Sequence, residues 1–298
     1  MEFYQFKKTG TQTTTLQISD GIPVIKFKLF ENIDHLRYGF STRMGGVSSG
    51  CFASMNLSFT RGDDDDKVFE NFRRFGKAVG IHCEQMVFSD QTHTANVGIV
   101  TEDDLGKGIL RPKDYTDVDG LVTNVKGAAL VTFYADCVPL FFVDEKQQVI
   151  ALSHSGWRGT AGKIGLETVK MMKEQFDCRP ENIKAAIGPS VCRACYEVSK
   201  DVADIFTDVF GKENAEAIMT KKADGKYMLD LWKANELVLL ESGIRRENLA
   251  VTDICTCCNS EYLWSHRKHG GQRGSLAAFM MMAPPETEQA GFSDSIEK

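Results

Sequence analysis

The sequence predicts a mixed α/β fold, because strand-like and helix-like segments alternate along the chain and short turns join several strands. Three stretches carry that prediction. TTTLQIS and IPVIKFKLF flank Asp20-Gly21, a strong hairpin signal. RGDDDDKVFENFRRFGKAVGI places Phe69, Phe72, Phe75 and Val79 at helical spacing. DGLVTNVKGAALVTFYADCVPLFFVDEKQQVIALSHSGW is dense in β-branched and aromatic residues, with turn signals at 124–127 and 145–148.

The remaining elements follow in order. Residues 41–59 are rich in glycine and serine and predict a structured loop. The aspartates at 63–66 stand where negative charge favours a helix N-terminus, so a solvated cap is expected there rather than a calcium site. MVFSDQTHTANVGIV is expected to form a strand pair. GTAGKIGLETVKMMKEQF predicts a helix with Ile164, Val169 and Met172 inward. IKAAIGPSVCRACYEV predicts a strand and a loop, 199–221 and 230–243 predict helices, and LAVTDICT and SLAAFMMMA predict strands. The polar tail after Pro284-Pro285 is expected to be disordered.

The chain has 298 residues, 42% hydrophobic and 26% charged, an ordinary globular mixture. Its formal net charge of -6 argues against a general nucleic-acid binder, which needs a basic surface. No apolar run approaches a membrane span, and the polar N-terminus has no signal core, so a cytoplasmic protein is expected. Nine cysteines, an odd number, fit a reduced chain without a disulfide framework.

A metal site can be argued from one hairpin. PLFFVD (139–144) and VIALSH (149–154) are strand-like runs separated by EKQQ. If Asp144 pairs with Val149, Pro139 pairs with His154. Cys137 then projects on the face of His154 as its diagonal neighbour. A one-residue slip would separate them. Thiolate and imidazole are good zinc ligands, but two hold a metal weakly, and His93 is the best third candidate. The same geometry suits a thiol–imidazole hydrogen bond.

Other candidates are weaker. Cys192-x-x-Cys195 and Cys255-x-Cys257-Cys258 could together form a four-cysteine zinc site. The second cluster is read as lacking the usual two-residue spacing, and Cys255 sits in an apolar strand, so buried thiols are favoured. His154 is followed by the glycine-containing turn Ser155–Thr160, whose N–H groups and Arg158 could receive an anion. Arg43 and Arg273, each beside glycines, are further anion candidates.

The motifs STRMGGVSSGCFASMNLS, DQTHTANV, TDVDGLVTN, YADCVPLFF, ALSHSGWRGTAGKI, AAIGPSVCRACYEV and SHRKHGGQRG, in that order, resemble the laccase-domain or polyphenol-oxidase-like (YfiH-like) proteins, viewed as purine nucleoside phosphorylases with added adenosine deaminase activity. The resemblance covers about residues 30–283. It implies one layered α/β domain over 1–283, similar to the catalytic domain of cytotoxic necrotizing factor. It implies that His93, Cys137 and His154 hold the metal, with zinc as the native ion and copper as an ion acceptable in vitro. Arg43 and Asn56 carry over as substrate or phosphate contacts, with Arg158 as a further phosphate candidate. The implied partners are purine nucleosides and phosphate, with no nucleic acid and no membrane, for a monomer or homodimer.

The implied reactions are phosphorolysis of adenosine, inosine, guanosine and methylthioadenosine, and deamination of adenosine. Neither metal-ligand histidine is followed by the glutamate of the familiar zinc deaminases. Asp136, beside Cys137, and Asp119, in DVDG, are the candidate acid–base groups, together with Cys137 and His154 as catalytic residues. Three alternatives stand beside this one. Cys137 could be a hydrolase nucleophile with His154 as its base, including a peptidoglycan-editing role. A copper-dependent phenol oxidase is disfavoured by only six histidines. A metal-stabilised interaction module would show no turnover.

Overall fold

The computed structural model describes residues 4–284. Among these, two six-stranded sheets pack face to face, with helices on both outer faces and a small three-stranded sheet at one side. The first sheet runs Thr14–Ser19, Ile22–Phe27, Leu36–Ser41, Leu276–Met282, Ala129–Tyr134, Met86–Phe88. The second runs Leu249–Val251, Lys184–Ile187, Val138–Asp144, Val149–Ser155, Gly120–Thr123, Val97–Ile99. Both mix parallel and antiparallel pairs.

The local signals act as expected at several places. Asp20 and Gly21 take φ of 50° and 77°, the left-handed pair that closes a two-residue hairpin. The helix Asp65–Val79 is capped by Asp64, whose carboxylate accepts from the N–H groups of Asp66 and Lys67. Phe72, Phe75 and Val79 are buried against the outer face of the first sheet, with Phe69 partly buried beside them. On the other side, Ile164–Phe176 buries Ile164, Val169 and Met172 against the second sheet, together with Lys200–Ile218 and Leu231–Glu241.

The central strands are apolar on both faces because both faces are covered. In Val138–Asp144, Phe141 and Val143 point between the sheets, while Leu140 and Phe142 meet the helices. In Leu276–Met282, Ala278 and Met280 point between the sheets, while Ala277, Phe279 and Met281 meet the helix Asp65–Val79. The result is a four-layer α/β/β/α stack.

Two expectations are corrected. MVFSDQTHTANVGIV does not make a strand pair: Met86–Phe88 joins the first sheet beside Ala129–Tyr134, and Val97–Ile99 joins the second beside Gly120–Thr123. Residues 89–96 therefore cross between sheets. The helix predicted over 199–221 ends at Ile218, and Met219–Lys221 pairs as a strand with Tyr227–Leu229. In the first case strands of two different sheets claim the two halves, which no local pattern names; in the second a short hairpin closed across 222–226 takes the residues that the helix was expected to keep. The expectation for the tail after Pro284-Pro285 falls largely outside the described residues. No helix among the described residues is long and apolar enough to cross a membrane.

Candidate metal centre

The observed hairpin register is the predicted one, with Asp144 opposite Val149 and Pro139 opposite His154. His154 shares parity with Ile150 and Leu152, which line the space between the sheets, so its ring faces that space. Cys137 packs against the same inter-sheet core. It ends a second crossover, 135–137, from the first sheet to the second. His93 lies on the crossover 89–96. Two inter-sheet crossovers thus converge on the end of the hairpin.

The ligand atoms of His93, Cys137 and His154 all lie within 4.8 Å of one another. His93 Nε2 is 3.9 Å from Cys137 Sγ, and the two imidazoles meet edge to face with centroids 4.8 Å apart. His93 is exposed, Cys137 half-buried and His154 buried, so the group is open on one side. Gly156 makes the approach possible. A Cβ there would stand 2.9 Å from His93 Cδ2 and 3.2 Å from Cys137 Sγ.

Asp119, fully buried, organises the group. Its Oδ1 lies 2.7 Å from His154 Nδ1, which leaves Nε2 as that ring's free nitrogen. Its carboxylate also accepts from the backbone N–H groups of Thr92, His93 and Thr94 at 2.9, 3.1 and 3.0 Å. These bonds hold His93 at φ 69°, a left-handed conformation that a non-glycine residue adopts only when its surroundings enforce it. One carboxylate thus orients the His154 ring, as a carboxylate behind a metal-binding histidine does, and fixes the backbone that carries His93. The donor set fits a zinc ion with an open position: two imidazoles, one thiolate and solvent on the fourth side.

Charge couples the same residues. Burial opposes ionisation of Cys137, but His154 and His93 outweigh it and draw the thiol down to about 6. Burial likewise opposes charge on His154, but Cys137 and Asp119 outweigh it and raise the imidazole to about 9. Burial works against the Asp119 carboxylate too, and the donors from His154, Thr94 and Thr92 overcome it, holding the group down at about 2. Without a metal the three shifts favour a thiolate–imidazolium pair backed by a carboxylate between about pH 6 and about pH 9.

A cavity of about 370 Å³ opens beside the three ligands. Phe59, Phe88 and Phe133 supply aromatic wall, and Arg61, Lys113 and Arg273 supply positive charge. Lys113 is paired with Asp90. Arg273 is buried; its Nε has no hydrogen-bond partner among the described residues, and burial, with Arg61 nearby, lowers its guanidinium to about 10.

The other predicted residues lie elsewhere. Arg43 stacks on Trp264 at 3.8 Å and donates to the carbonyls of Ala53 and Ser260, so it pins two loops. Asn56, fully buried, donates to Ser58 O and accepts from Ser275 N, bracing two residues of the cavity wall from behind. Arg158 is exposed and lies over Trp157, off the cavity. The Asp136 carboxylate accepts from Thr256 Oγ1, Ser265 Oγ and Arg267 N, and it is not on the cavity wall. Arg273, an anion candidate from its flanking glycine, does line the cavity. Arg61 was missed, although Gly62 beside it is the same signal. The three phenylalanines are not singled out by the sequence, where Phe59 falls in the loop 41–59 and Phe88 and Phe133 in strand-like runs.

This geometry defines a mixed α/β protein with an open two-histidine, one-cysteine site on an aromatic and cationic cavity. The chain belongs to the laccase-like YfiH family: residues 37–283 match the family model described as multi-copper polyphenol oxidoreductase laccase. It is 35% identical over 276 residues to purine nucleoside phosphorylase YlmD of Bacillus subtilis (strain 168), covering 91% of this chain and 96% of that protein. It is 32% identical over 237 residues to adenosine deaminase RL5 from an unknown prokaryotic organism, covering 79% and 90%. The crystal structure of hypothetical protein YfiH from Bacillus licheniformis superposes with a TM-score of 0.84 at 28% identity, covering 90% of this chain and 98% of that one.

Proposed function

We propose that this chain is a zinc-dependent purine nucleoside phosphorylase that also deaminates adenosine, built as one domain over 1–283 and working in the cytoplasm. The observation that carries this is the open His93–Cys137–His154 group at a cavity with aromatic walls and an arginine pair. A zinc ion held there would supply a Lewis acid with a free position for a substrate atom or water. The names of the YlmD and RL5 relatives support the two activities.

The chain's own residues divide the remaining work. The faces of Phe59 and Phe133 suit a purine ring. Arg273 and Arg61 suit phosphate, and the unpartnered Nε of Arg273 is a donor that a phosphate oxygen would satisfy. In phosphorolysis a phosphate oxygen bonds to C1′ as the bond from C1′ to the purine nitrogen breaks. The electron pair leaves with the base, through an oxocarbenium-like state by analogy with glycoside cleavage. Two arginines fix the nucleophile and the aromatic wall fixes the leaving group, so the gain is chiefly one of orientation. Asp136 acts here as the anchor of the strand start that projects Cys137, Arg43 as a staple between loops, and Asn56 as a brace for Ser58 and Ser275. Copper chemistry of the multi-copper kind needs more histidines than the two at this site.

The test incubates metal-quantified protein with adenosine, with and without phosphate, and follows adenine, ribose-1-phosphate and inosine. Phosphate-dependent adenine release and phosphate-independent inosine formation are expected. Neither product from zinc-loaded protein would sink the assignment.

A second reading has its own observation. Cys137, His154 and Asp119 stand in the order nucleophile, base and orienting carboxylate, with the thiol already drawn toward thiolate. A cysteine hydrolase, including one acting on peptidoglycan, would use them without metal. Turnover that rises when zinc is stripped would favour it.

A further inference from the structure

Four cysteines outside the cavity meet beside Asp136. Cys192 and Cys195 lie in the loop after the strand Lys184–Ile187, and Cys255 and Cys258 in the loop after Leu249–Val251. Those strands are parallel neighbours. Their pairing continues in a bridge between Ser190 and Cys255, where Thr256 N donates to Ser190 O at 3.1 Å. All four Sγ atoms lie within 4.8 Å of one another, and Cys195 Sγ is 3.5 Å from Cys258 Sγ.

The cysteines expected to serve as packing thiols are gathered into one cluster, and the spacing argument against a four-cysteine site does not hold. Cys255 and Cys258 are separated by two residues, as Cys192 and Cys195 are; Cys257 is the one left out. A tetrahedral zinc with Zn–S of about 2.3 Å holds its sulfurs about 3.8 Å apart, between the 3.5 Å of Cys195–Cys258 and the 4.8 Å limit of the group. Two backbone donors aim at one sulfur as well: Cys192 N and Cys258 N point to Cys255 Sγ at 3.2 and 3.4 Å. Backbone N–H groups directed at a cysteine sulfur fix its position, as the hydrogen bonds around a metal-bound thiolate do. Cys255 is buried and Cys258 exposed, so the group is reachable from solvent.

We infer that Cys192, Cys195, Cys255 and Cys258 bind a second, structural zinc ion in a four-sulfur tetrahedron, releasing their thiol protons as they ligate. A closed four-thiolate shell leaves no position for substrate, so the ion joins two loops. Both loops hold Asp136: Val191 N donates to its carbonyl at 3.0 Å, and Thr256 Oγ1 to its carboxylate at 2.6 Å. Asp136 immediately precedes Cys137. The clip therefore fixes the main chain from which a ligand of the other site projects, whichever reaction that site performs.

The test counts zinc in full-length protein purified under reducing conditions without chelator, beside Cys137→Ala and Cys258→Ser. Two zinc ions per wild-type chain and one in each variant are expected. Cobalt(II) exchanged into Cys137→Ala should show sulfur-to-cobalt charge transfer and the intense d–d bands of a tetrahedral four-thiolate site. One zinc in the wild type with none in Cys137→Ala would overturn the inference, and so would a Cys195–Cys258 disulfide found by mass spectrometry in protein kept reduced. If Cys258→Ser does not fold, the Cys137→Ala count and its cobalt spectrum still decide.

Discussion

Asp119 and His154 are joined twice: side chain to side chain at 2.7 Å, and through the His154 N–H, which donates to the Asp119 carbonyl at 2.8 Å. The pair forms at the edge where Gly120–Thr123 lies antiparallel to Val149–Ser155. The sheet therefore delivers the carboxylate to the imidazole, and the carboxylate in turn collects the His93 turn. Asp119→Asn keeps the shape, but its amide nitrogen cannot accept the N–H donors it would replace. Zinc affinity at the His93 site should fall about 10- to 100-fold, measured by competition with a chromophoric chelator. Unchanged affinity would remove Asp119 from the ligand-orienting role.

The thiolate–imidazolium pair predicts how Cys137 reacts in the metal-free chain. Its thiol is drawn down to about 6, so thiolate is present above that pH rather than above the ordinary cysteine value of about 8.5. After chelation, alkylation of Cys137 by iodoacetamide should rise through a midpoint near 6. Readdition of zinc should suppress it. A midpoint above 8 would contradict the coupling of Cys137 to His154.

The two arginines nearest the question separate by location. Arg273→Ala removes a buried cation from the cavity wall, and a charge-assisted hydrogen bond of about 1.5–3 kcal/mol corresponds to roughly a 10- to 150-fold rise in the KM for phosphate. Arg158→Ala, exposed over Trp157, should change that KM less than about twofold, since surface substitutions stay within about 0.5 kcal/mol. Initial rates against phosphate concentration check both. The reverse ranking would restore Arg158 as the phosphate contact.

Gly156 tests the fit of the ligand triangle. The added methyl of Gly156→Ala would press on His93 and Cys137 at once. Zinc occupancy should fall while circular dichroism and the unfolding midpoint stay near wild type, because the strain falls on the open side of the site. Full occupancy would mean the ligands have slack that the structure does not show.

Much of the fold was legible because its signals are local. The Asp20-Gly21 turn, the Asp64 cap and the alternation in 139–154 each follow from a few neighbouring residues, and the last placed Cys137 and His154 on one face. Arg43, Asn56 and Arg158 illustrate the limit. A glycine or a short loop beside a polar residue shows that backbone can come close, but not what comes close to it. For Arg43 it is Trp264 and the carbonyl of Ser260, more than 200 residues away.

By itself the sequence determined most of the elements, the hairpin register and hence two of the three residues of the candidate metal site, since strand periodicity converts residue parity into direction. Only the tertiary structure decided where the crossovers 89–96 and 135–137 go, which brings His93 to the pair and sets Asp119 behind both histidines. It alone turned Asp136 away from the cavity, put Arg61 and Arg273 on its wall and gathered four cysteines from two distant loops. These outcomes rest on pairings between sheets and loops far apart in the chain, whose partners no short-range pattern specifies.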